Sequence, residues 1–149
     1  MSSANGPGPS VLAKSLGYAG LIPFVGLALA QWTLAPAHRT FIGLALLGYG
    51  ATIASFLGAI HWGLVMRDAS RASFRFLVWG VVPSLVAWIA LLTGPVPGLL
   101  VIAGLLWACF AVDRWIYARF QVPGWLSMRL SLTLVASASC VVGEMGVLR

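Results

Sequence analysis

Three ionisable side chains, His61, Asp113 and Arg129, lie within or at the edge of long apolar stretches. Ionisable groups inside a membrane span are rare, and they face the bundle interior, a cavity or a partner. A His–Asp–Arg cluster suits a proton relay, a quinone head-group site or an anion site. The plainer use is structural. Asp113 pairs with Arg129, or with Arg114, and ties helix ends together, while His61 is a neutral imidazole bonded to a nearby carbonyl. The residue types fit both uses. His61 stands six residues before Arg67, about 9 Å of helix rise from that end. It therefore occupies the same half of the span as Asp113 and Arg129 occupy in theirs.

Whether the three meet depends on the segment that carries the histidine, GYGATIASFLGAIHWG from Gly48 to Gly63. On a helical wheel, at about 100° per residue, Ala51, Ser55, Ala59 and Gly63 form one ridge at spacing four. Gly50, Ala54 and Gly58 form a second ridge, and His61 extends it. Small residues at spacing four let helix backbones approach closely, and close packing drives association in lipid, where tails are as apolar as leucine. Two ridges predict a helix packed on two sides, at the centre of a bundle.

Composition fixes the solvent. Of 149 residues 60% are hydrophobic and 8% charged, with mean hydropathy +0.98. Long uncharged apolar runs mean membrane spans. The sequence predicts an all-α, polytopic membrane protein built as a single bundle of five transmembrane helices, at about 12–32, 41–66, 76–93, 99–117 and 126–143. Residues 1–11 are read as a disordered, Gly- and Pro-rich tail. Ala28-Leu29-Ala30 has the form of a signal-peptidase site, but Pro23 and the glycines interrupt the apolar run before it, so the segment is read as an uncleaved span. Pro23 should kink that span.

The net charge of +6 does not point to nucleic acid, because the arginines sit at span ends. Arg67, Arg71 and Arg75 recur at spacing four. If helical, they make one basic face for anionic lipid head groups. With five spans, Lys14, Arg67, Arg71, Arg75, Arg114, Arg119 and Arg129 share one side, seven of the nine basic residues. The positive-inside rule then puts the N-terminus in the cytoplasm and the C-terminus outside. Cys109 and Cys140 lack metal-ligand spacing and read as small packing residues. The chain carries no zinc-protease, P-loop or nucleophile-elbow motif. No catalytic residue, metal or cofactor is implied.

LGYAGLIPF (Leu16–Phe24), YGATIASFLGAIHWG (Tyr49–Gly63), VPSLVAWIALL (Val82–Leu92), the pair Asp113–Arg114 and RLSLTL (Arg129–Leu134) together resemble one family. It is the bacterial uncharacterised-domain family similar to mitochondrial transmembrane protein sixty-nine. The resemblance covers about Leu12 to Leu148. It implies a small polytopic inner-membrane protein, and it brings no activity, substrate or catalytic residue with it. Gly58, His61, Trp62 and Gly63 match the family's signature. The leading expectation is a multi-pass inner-membrane accessory or assembly protein, more a partner than an enzyme, contacting anionic lipids and other membrane proteins. The alternative is a small proton-coupled transporter or a quinone- or small-molecule-binding protein using His61, Asp113 and Arg129.

Overall fold

The structure is a computed structural model and describes residues 8–68, 70 and 73–149. Residues 1–7 of the expected tail, and Arg71, lie outside it. Among the described residues, six α-helices make five spans: α1 (Val11–Ala19) with α2 (Leu21–Thr33), then α3 (Arg39–Arg67), α4 (Phe74–Leu92), α5 (Pro95–Arg119) and α6 (Leu126–Leu148). All five are long and apolar enough to cross a bilayer.

The first span is broken rather than smoothly bent, and the break falls at Gly20, not at Pro23. Proline clashes with the carbonyl four residues back, so Pro23 ends the preceding helix at Ala19 and is itself tolerated in the first turn of α2. The Tyr49 hydroxyl of α3 donates to the Gly20 carbonyl at 2.8 Å. Phe24 packs edge-to-face on the same Tyr49 ring, at 5.0 Å between centroids. The break is thus held by the neighbouring span, as exposed backbone in lipid requires.

The fourth span begins earlier than the sequence suggests. Pro95 and Pro97, which fall between the expected third and fourth spans, lie in the first turn of α5, where a missing N–H costs nothing. The reversal is confined to Thr93 and Gly94, and Gly94 takes a φ of 84° that favours glycine. The fifth span runs on past Glu144 to Leu148. The continuous basic helix over 67–75 does not form. Asp68 leaves the helical conformation and ends α3, and Ser73 is extended ahead of α4. Arg67 and Arg75 therefore belong to different helices.

The centre of the bundle is α3. Half of its most apolar window is buried (50%), against 11% for the first span. The ridge Gly50, Ala54, Gly58 and His61 is buried along its whole length. The other ridge is not. Ala51 is buried and Ser55 is half-buried, but Ala59 and Gly63 face outward, and a Cβ at Gly63 would meet no neighbour. Geometry accounts for the difference. A strict spacing of four drifts about 40° per step, whereas the final spacing of three from Gly58 to His61 turns the ridge back. Gly58 is the closest approach: a Cβ there would run into the Gly80 carbonyl of α4, so only glycine fits. Trp62 lies across Gly80 and donates from Nε1 to the Leu77 carbonyl at 3.1 Å.

Candidate functional site

His61, Asp113 and Arg129 converge. Each comes from a different span: α3, α5 and the first turns of α6. Arg129 donates from Nε to Asp113 Oδ2 at 2.8 Å, and its Nη2 lies 2.6 Å from the same oxygen. His61 Nε2 stands 3.1 Å from the other carboxylate oxygen, Oδ1, off the line of a straight hydrogen bond. On the far side of the ring, Nδ1 faces the Gly58 carbonyl at 3.2 Å. The cluster is sealed: exposure is 0% at His61, 1% at Asp113 and 6% at Arg129.

Charge explains the arrangement. An isolated ion in hydrocarbon is prohibitive, so it must be paired. Asp113 and Arg129 cancel, and a neutral His61 leaves the cluster uncharged. Both ring nitrogens face oxygen acceptors, while a neutral imidazole carries one N–H.

The ring–carbonyl contact and the Asp113–Arg129 pair expected for structural groups are both present, and so is the three-way meeting expected for a chemical site. Arg114, the other sequence partner for Asp113, is exposed. The sequence did not connect the side chains around the cluster with it. Cys109 and Tyr117 stand four residues either side of Asp113, buried on its helix face, and Thr133 stands one turn beyond Arg129, also buried. Spacing four around a charged residue is the signal that could have found them. Cys109 and Cys140 are free and buried. Among the described residues, no three His, Cys, Asp or Glu side chains gather as they would around a metal ion.

A cavity of about 530 Å³ adjoins the cluster. It lies between α1, α3 and α6, and Leu16, Phe56, Ile60 and Leu132 give it apolar walls. Arg129, Tyr117 and Arg67 line it as well; His61 and Asp113 do not. A smaller cavity of about 160 Å³ shares Arg129 and Leu132 and extends toward Phe24 and Ala136.

At the other end of the bundle a second polar residue is wholly enclosed. Gln31, at the end of the first expected span, sits in the last turns of α2 at 0% exposure. Its Nε2 donates to the Arg39 carbonyl at 3.1 Å, and it packs between Gly43 of α3 and Gly146 of α6. Trp32 donates to the Val142 carbonyl at 3.2 Å.

Five apolar spans around a sealed charge cluster define a polytopic α-helical membrane protein. Within that class, the chain belongs to the family described as "Protein of unknown function (DUF3429)", which matches residues 10–145. It is similar to "Transmembrane protein 69" of Xenopus tropicalis, 40% identical over 82 residues, covering 54% of this chain and 32% of the relative. It is also similar to "Transmembrane protein 69" of Mus musculus, 28% identical over 127 residues, covering 83% of this chain and 51% of the relative. The chain thus spans about a third to a half of the length of these relatives. No solved structure matches it.

Proposed function

We propose that the protein is a non-enzymatic accessory or assembly protein of an inner membrane, with its N-terminus in the cytoplasm. It presents a rigid helix bundle to partner membrane proteins and a basic end to anionic lipid. The observation that carries this reading is the sealing of the charge cluster. His61 and Asp113 have 0% and 1% exposure, and Arg129 directs Nε and Nη2 at Asp113. Groups placed so clasp three spans, which is what a docking scaffold needs. Orientation rests on the arginine imbalance between the two ends.

Extraction in mild detergent, followed by identification of what co-purifies, tests the reading. A reproducible set of membrane proteins in fixed ratio is expected, and a clean monomer without partners would overturn it. A second reading, a proton-coupled carrier or a quinone- or small-molecule-binding protein centred on His61, draws support from the cavity that reaches Arg129. Complementation with His61→Ala separates the two. Function lost from a variant that still folds favours the site, and function retained removes it.

A further inference from the structure

The cavity between α1, α3 and α6 has the layout of an amphiphile. Its long axis begins at Arg67, on the last turn of α3. Its lining includes Arg129, and the smaller cavity, which shares Arg129 and Leu132, lies beside it toward Phe24 on α2 and Ala136 near the middle of α6. The walls between are aliphatic and aromatic. At the mouth, Leu16 and Phe56 are 66% and 63% exposed. In a bilayer those two positions face lipid, so the cavity opens sideways into the hydrocarbon.

The polar end carries positive charge. Arg67 uses one of its five donors on the Phe120 carbonyl, at 3.3 Å. Lys14 follows Ala13, which also lines the cavity. Asp68 follows Arg67, but its Oδ1 accepts the Ser70 backbone N–H and hydroxyl. Among the described residues, no acidic one lines the cavity.

We propose that this cavity holds one acyl chain of an anionic phospholipid from the surrounding leaflet, with its phosphate against Arg67. The volume is that of a ligand pocket of ordinary size. A quinone fits less well. The His61 ring lies behind the Asp113–Arg129 pair, and two of the nitrogens of Arg129 already face Asp113. From the cavity a quinone carbonyl would reach Arg129 alone of the three, since His61 and Asp113 do not line it. The proposal is independent of the accessory role and of which side of the membrane the basic end occupies.

The test is native mass spectrometry of the full chain in a neutral detergent. The protein is titrated with phosphatidylglycerol or with phosphatidylcholine of the same acyl chains. Wild-type protein should prefer phosphatidylglycerol about fivefold, the effect of one basic residue at a lipid surface. Arg67→Gln should erase that preference. Arg75→Gln, at the same end but outside the cavity, should keep it. Leu16→Trp, which fills the mouth from an exposed position, should weaken retention of both lipids. Melting curves confirm that each variant is folded. Equal binding of the two lipids by wild type overturns the proposal, as does a preference that survives Arg67→Gln or is lost equally in Arg75→Gln. Undiminished binding by Leu16→Trp overturns it too. Displacement of phosphatidylglycerol by an equal concentration of oleate, or by a quinone, would assign the cavity to a different occupant.

Discussion

The two ends of the bundle bury polarity in opposite ways. At the basic end, charge is taken out of contact with lipid by pairing: Asp113 of α5 pairs with Arg129 of α6, and the His61 ring of α3 lies 3.1 Å from its other oxygen. At the other end, the fully enclosed polar group is a neutral amide: Gln31 reaches one carbonyl and packs between Gly43 and Gly146, while the carboxylate residue there, Glu144, keeps 8% exposure. The lesson concerns cost on disruption. Removing one member of a buried ion pair strands a charge, whereas removing a neutral donor forfeits one hydrogen bond. The ends also share a device. Trp62 and Trp32 each donate an indole N–H to a helix carbonyl of a neighbouring span.

The contrast can be broken most forcefully at Asp113. Asp113→Leu leaves Arg129 without its acceptor and should cost about 3–5 kcal/mol, read as a large drop in thermal stability in detergent. Adding Arg129→Met should restore most of it, because an apolar replacement of both partners is close to neutral. A double variant no more stable than the single would mean that the carboxylate is not held by this pair. Next come the tryptophans. Trp62→Phe and Trp32→Phe each remove one interhelical hydrogen bond, worth about 0.6 kcal/mol in membranes, so similar small losses are expected at both ends in melting curves. The smallest effect belongs to Gln31→Met, which exchanges an amide for an apolar chain of similar length. It should shift stability by less than about 1 kcal/mol. A loss there as large as that of Asp113→Leu would erase the distinction between the ends.

Much of this fold is written in local sequence. The glycine ridge ending in His61 announces the central span, and its 4-4-3 spacing keeps one face turned inward. The parallel ridge misleads, because Ala59 and Gly63 look as suited to packing as Gly58 but have rotated outward. The relation is similar at the cluster. His61, Asp113 and Arg129 stand out as ionisable residues in or beside apolar runs, yet nothing local assigns two nitrogens of Arg129 to the one oxygen Oδ2 and the imidazole to Oδ1. Gln31 was hidden by its position near a loop, where a glutamine carries no signal.

By itself the sequence determined the solvent, the number of crossings and the lopsided distribution of arginine, since each follows from composition and length read one segment at a time. Tertiary structure decided the rotation and depth of each helix, and with them the sealing of the charge cluster, the enclosure of Gln31 and the sideways cavity beside Arg129. The physical reason is the bilayer. Lipid-facing and bundle-facing surfaces are both apolar, so the polar–apolar contrast that orients a helix in water is missing, and packing fit between distant segments sets the orientation instead.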